Sequence, residues 1–145
     1  MLKITFTIIL NFLFIQCIAQ NAAADVIIGE WVNEENDAKI EIYKSGSVYQ
    51  GKLIWSIDYM EADGKTSKKD VNNTDEKLQS RLLINSNVLQ DFKFEDGVWD
   101  SGTMYDPKSG KSYNCVMKIH DDTLEIRSYV GIQLFGKTTY WKRSI

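Results

Sequence analysis

The run from Trp99 to Tyr113, Trp-Asp-Ser-Gly-Thr-Met-Tyr-Asp-Pro-Lys-Ser-Gly-Lys-Ser-Tyr, reads as strand, tight turn, strand. Asp106-Pro107 fits the first corner of a type I turn, and Gly110 supplies a positive-φ exit. Similar signals recur along the chain. Residues 38–44 alternate apolar and polar side chains with period two, the mark of a half-buried strand. Ser45-Gly46 turns them into residues 47–58, which place Tyr49, Gly51, Leu53, Trp55 and Ile57 on one face. Residues 88–94 and 98–106 form a further hairpin about Asp96-Gly97. Residues 27–33, 111–120, 123–130 and 137–143 complete the series. Short turns between consecutive strands predict an all-β, antiparallel up-and-down meander of about eight strands. A meander this long removes its exposed edges by closing into a single barrel, which has room for one small ligand. Residues 59–73 break the pattern: Glu, Asp, Gly, Lys, Ser and Asn dominate, as in a long solvated loop. Asn73 and Glu76 have the spacing of a capping box, which predicts a short helix over 74–80 in this middle loop.

Residues 1–19 stand apart. Lys3 precedes an almost wholly apolar stretch from Ile4 to Ile15, about the length of a secretory h-region and too short to span a membrane. Cys17-Ile18-Ala19 offers the small residues that a signal peptidase reads, leaving Gln20 first; a second candidate cut follows Ala24. The reading is a signal peptide over 1–19, a domain over 20–145, and export to the periplasm or the outside, with no transmembrane segment after the leader is removed. Gln16 is large and polar where a lipid-modified cysteine at Cys17 needs a small residue. Of the two cysteines only Cys115 stays in the exported domain, so no internal disulfide is expected. A net charge of −3 argues against nucleic acid as a partner.

Catalytic signals are faint. His120 is the only histidine, sits at a turn, and has no nucleophile elbow to serve. Cys115 alternates with Tyr113 and Met117, as a buried thiol does. Residues 70–75 place oxygen ligands at EF-hand-like offsets, but Asp75 stands where that loop needs glycine and Arg81 where it needs Glu. We therefore expect no catalytic constellation, no metal site and no cofactor.

Several motifs together resemble a family of secreted bacterial proteins, the domain of unknown function 2147. They are Gly29-Glu-Trp31; Asp70, Asn73, Leu78 and Arg81; Trp99-x2-Gly102-x2-Tyr105-Asp106-Pro107-x2-Gly110-Lys111-x-Tyr113; Leu124-x2-Arg127-x-Tyr129-Val130-Gly131; and Phe135-Gly136-Lys137-x3-Trp141-x-Arg143. The resemblance covers essentially the whole mature chain and implies an exported lipocalin-like barrel without an established activity. Many relatives carry two cysteines near Lys44 and Gln50; neither position is cysteine here. Ser128 stands where the family usually has glycine, and Asn85-Ser86 where it usually has Leu-Gly.

In such a barrel Gly29-x-Trp31 and Arg143 resemble the lipocalin device of a first-strand tryptophan closing the floor under a late arginine, a cation–π contact. Trp99, Asp106, Pro107, Gly110 and Trp141 join them as expected structural residues. Trp55, Tyr105, Tyr113, Met117 and Tyr129 are the expected cavity wall, with Arg127 as its polar anchor. Asp70, Asn73 and Arg81 are expected to pin the middle loop to the barrel. The leading functional reading is a non-enzymatic binding protein for a small hydrophobic or amphipathic ligand. The alternative is an envelope interaction or structural protein acting through its loops, 59–73 above all; the sequence names no protein partner.

Overall fold

The computed structural model describes residues 22–145; the expected leader lies outside the described residues. Eight strands follow in order: β1 (Gly29–Asn33), β2 (Ala38–Ser45), β3 (Val48–Ser56), β4 (Asn87–Glu95), β5 (Val98–Asp106), β6 (Lys111–His120), β7 (Thr123–Tyr129) and β8 (Lys137–Arg143). Each pairs antiparallel with the next, and β1 pairs with β8, so the sheet is a closed up-and-down barrel. Closure satisfies both would-be edges: Trp31 faces Arg143 and Asn33 faces Trp141 across the seam.

Up-and-down order sorts the connections. The β1–β2, β3–β4, β5–β6 and β7–β8 connections share one end, here the mouth. The β2–β3, β4–β5 and β6–β7 turns and the chain ahead of β1 share the other, the base. The base turns are two residues each: Gly46-Ser47, Asp96-Gly97 and Asp121-Asp122, all but Ser47 at positive φ. Primed hairpin turns require that conformation.

The expected strands are present, with two local corrections. The residue between Leu53 and Trp55 has no partner on β2: Ile40 faces Leu53 while Lys39 already faces Trp55. This bulge reverses the alternation, so Ser56 is buried and Trp55 and Ile57 leave the inner face. The expected helix over 74–80 is one 3₁₀ turn, Glu76–Leu78, capped by Asp75 and not Asn73. Asn73 is instead turned toward Asp70.

The core divides along the barrel axis. Toward the base, Trp31, Ile42, Phe92, Trp99, Met117 and Leu124 are fully buried. Trp99 packs on Phe94 with ring centroids 4.8 Å apart and edge-on to Tyr49 at 6.4 Å, contacts worth about 0.5–1.5 kcal/mol each beyond burial. Toward the mouth the inward side chains are smaller, among them Ala38, Ile40, Leu53, Val88 and Ile126, and they do not fill the space.

Candidate functional site

The base is shut by the chain entering the barrel. Residues 22–25 form a helical turn, and Ala24 and Ile27 join the buried core. The plug is held from five strands. Trp99 Nε1 donates to the Ala24 carbonyl at 3.1 Å, and Trp31 Nε1 to the Ile27 carbonyl at 2.9 Å. Asp25 accepts from Tyr49 Oη at 2.5 Å and from Lys44 Nζ at 2.8 Å. The Lys44 and Tyr49 hydrogen bonds hold the Asp25 carboxyl below its ordinary range. Arg143 donates to the carbonyls of Ile28 and Val26 and lies over the Trp31 ring, its Cζ 4.4 Å from the centroid.

With the base filled, the hollow lies under the mouth. A cavity of about 200 Å³ is bounded mainly by apolar side chains, including Ile40, Leu53, Leu89, Met104, Ile126 and Trp141. A wider depression of about 610 Å³ shares Met104 and Asp106 with it and carries Tyr113, Tyr129, Phe135 and Lys137. A third hollow of about 370 Å³ shares Tyr59 and Pro107 with the apolar cavity and is ringed by Lys68, Lys69 and Lys108. An apolar interior thus opens on a rim bearing four ammonium groups, with Asp58 and Asp106 as the acidic members of the same walls.

The β3–β4 connection forms part of this site. Asp70 is fully buried, and both carboxylate oxygens are bonded: Tyr105 Oη donates at 2.5 Å to one, while Asn73 Nδ2 at 2.8 Å, Arg81 Nε at 2.9 Å and Arg81 Nη2 at 2.8 Å share the other. Asn72 Nδ2 reaches the carbonyls of Pro107 and Lys108 in the β5–β6 turn. Gly110 closes that turn at φ +69°, and a Cβ there would overlap the Asn72 carbonyl. The connection is therefore a strap fixed to β5 and the β5–β6 turn, and it carries Tyr59 into the cavity wall. Burial, helped by nearby carboxylates, pushes the Tyr59 and Tyr105 phenols up to about 12.

The expected wall residues separate. Tyr105 borders the apolar cavity and Tyr113 the wider mouth, which Tyr129 reaches from the outward phase of β7 that it shares with Arg127. Met117 is inward but buried in the base, where it faces Ile126 and Trp99. Trp55 stands outside because of the β3 bulge. Arg127 is no cavity anchor: it pairs with Val116 on the outward phase and donates to the carbonyls of Gln133 and Leu134 and to Thr138 Oγ1 at 2.8, 3.0 and 2.7 Å. Its alternation partners Leu124 and Ile126 point in, so Arg127 points out. Trp141, expected as structural, lines the cavity. Gly29 carries no side chain where a Cβ would crowd Arg143 Nη1. Tyr59 and Met104 were missed. Met104 faces Tyr113 across β5 and β6, so hairpin register was the available signal; Tyr59 sits in a loop with no periodicity to read.

Cys115 is wholly buried, and burial pushes its thiol up to about 12. His120 lies at the base end, remote from the hollow by topology. Among the described residues no three His, Cys, Asp or Glu side chains are grouped to hold a metal ion, and no helix is long and apolar enough to cross a membrane.

The model of a bacterial family described as "Uncharacterized protein conserved in bacteria (DUF2147)" matches residues 29–143, from the first residue of β1 to the last of β8. The chain belongs to this family. A DUF2147 barrel also has a counterpart among solved structures. Protein HP1028 from the human pathogen Helicobacter pylori, described as belonging to the lipocalin family, aligns with a TM-score of 0.71 and 24% identity over 82% of this chain and 83% of that one. At that identity the likeness carries the fold alone, and it bears out a lipocalin-like barrel. No curated protein matches this DUF2147 chain.

Proposed function

We propose that this protein is a non-enzymatic carrier that works outside the cytoplasm and holds a small hydrophobic or amphipathic molecule in its barrel. One observation carries the reading: an apolar cavity of about 200 Å³ lies beneath the mouth of a barrel whose base is packed solid. An apolar cavity of about 150 Å³ can stay dry and admit benzene, so this one suits an apolar group of roughly six to ten non-hydrogen atoms. The amphipathic half of the proposal rests on the rim, where Lys69, Lys108 and Lys137 offer ammonium groups to a polar or anionic end, while Lys68 donates to the Asp58 carbonyl.

The test is displacement of 1-anilinonaphthalene-8-sulfonate from the purified protein, compared with a Met104→Trp variant that fills the cavity. Wild type should bind the probe, and the filled variant should lose at least tenfold in affinity at unchanged circular dichroism. Equal binding by both, together with no molecule seen by native mass spectrometry, would sink the proposal.

Export rests on the leader pattern, and the plug bears on where the leader is cut. Cleavage after Ala19 leaves the plug whole; cleavage after Ala24 removes the carbonyl that Trp99 holds. The intact mass of protein recovered from a periplasmic extract or culture medium should correspond to a chain starting upstream of Ala24. Recovery only from the cytoplasm at full length contradicts export.

A further inference from the structure

We infer that the β7–β8 connection at the mouth docks the barrel on a lipid bilayer bearing anionic headgroups. Of the large hydrophobic side chains exposed among the described residues, most stand on the two long mouth connections, and the densest group is the β7–β8 tip. There Val130, Ile132, Leu134 and Phe135 are 75, 58, 75 and 79% exposed within six residues. Exposed apolar residues on soluble domains are normally scattered singly; a contiguous group marks a protein or membrane contact.

The tip is built to present these side chains. Gly136 N donates back to the Gln133 carbonyl at 3.0 Å, closing a 3₁₀ turn over Gln133–Phe135. Arg127 binds the carbonyls of Gln133 and Leu134 from the adjacent strand. Backbone acceptors that would resist leaving water are thereby occupied, while the apolar side chains face outward. This reassigns Arg127 from an expected ligand anchor to a support for the tip.

Charge decides between a bilayer and an apolar protein surface. At the mouth end of β7 and β8 the tip is flanked by Arg127 and Lys137, and no acidic side chain lies between Ile126 and Lys137, although the protein as a whole is net negative. Lys108 and Lys137 share a wall of the mouth with Val130 and Phe135; Asp106 is the one carboxylate in that wall. Apolar side chains projecting beside Lys108, Arg127 and Lys137 suit the boundary between headgroups and acyl chains. Each basic residue near an anionic surface adds about fivefold to binding.

Sedimentation with sucrose-loaded vesicles tests this on the exported chain. Vesicles of phosphatidylcholine with a quarter phosphatidylglycerol should retain the protein at least tenfold better than phosphatidylcholine alone, and added salt should weaken retention. Leu134→Ser with Phe135→Ser should cut retention at least tenfold without lowering the melting temperature, because both side chains are exposed. Lys137→Glu should do so by a smaller factor on anionic vesicles only. Retention that ignores these substitutions, or no retention on either vesicle, overturns the inference. So does a wild-type dimer in size-exclusion chromatography that the serine variant converts to monomer, since the tip would then serve a second copy. The readout is independent of the cavity: a Met104→Trp barrel should still sediment.

Discussion

Arg143 lies on Trp31, guanidinium carbon 4.4 Å from the ring centroid, and so joins the last strand to the first at the point where the barrel closes. Trp31 is 1% exposed, and its removal deletes one of the two tryptophans that fill the base. We predict that Trp31→Ala costs about 3–5 kcal/mol in chemical denaturation. Arg143→Ala loses the cation–π contact and two hydrogen bonds at a partly exposed site, for about 1–2 kcal/mol. A Trp31→Ala protein with wild-type stability would show that the seam does not depend on this stack.

Asp70 predicts a larger loss than any exposed acid. Its removal strands the Arg81 guanidinium, the Tyr105 hydroxyl and the Asn73 amide together. Asp70→Ala should cost about 3–5 kcal/mol, as for other buried charge partners removed singly. Tyr105→Phe, which removes one neutral donor, should cost about 1–2 kcal/mol. Hydrogen exchange should locate the damage: amides of the strap between β3 and β4 should lose protection before those of β6 and β7.

Gly110 and Gly46 make a controlled pair. Both sit at positive φ, +69° and +62°, but only Gly110 faces another backbone, that of Asn72. Alanine at Gly46 should cost about 1 kcal/mol of left-handed strain. Alanine at Gly110 adds a collision with the strap and should cost at least twice as much, measured by urea denaturation, and it should weaken probe binding at the mouth as well.

The two raised phenols set an alkaline limit. Tyr59 and Tyr105 titrate at about 12 in the folded barrel against an ordinary value of 10. The folded state therefore holds its protons longer than the unfolded chain. The linked stability is fully present below pH 10 and is lost as pH rises toward 12. Denaturation midpoints should fall across that window, and Tyr59→Phe should flatten the fall. In the same titration Cys115 should stay unreactive to a thiol reagent until the barrel opens, as its buried position requires.

The strands and their pairing were legible because period-two alternation and turn residues are local signals; β6 and β8 carry the limits expected of them. The base device was legible from Gly29, Trp31 and Arg143 once the resemblance was recognised, and the strap from Asp70, Asn73 and Arg81. The cavity wall was harder. A single unpaired residue in β3 turned Trp55 outward, and no local signal announces a bulge. Arg127 was misplaced because its partners are backbone carbonyls of the β7–β8 connection, which no local pattern announces. Tyr59 is brought to the cavity by a strap whose course is set far away, at Asp70 and Gly110.

The plug has a consequence for how the molecule comes into being. Arg143 binds the Ile28 carbonyl across 115 residues of chain. Such contacts carry no reward until the whole loop between them has closed, so they slow folding. A nascent chain lacking β8 has two unpaired sheet edges, on β1 and β7, and an unsecured plug. Sealing therefore awaits β8, and the interval before it docks is when this chain is most exposed to wrong pairing with another copy.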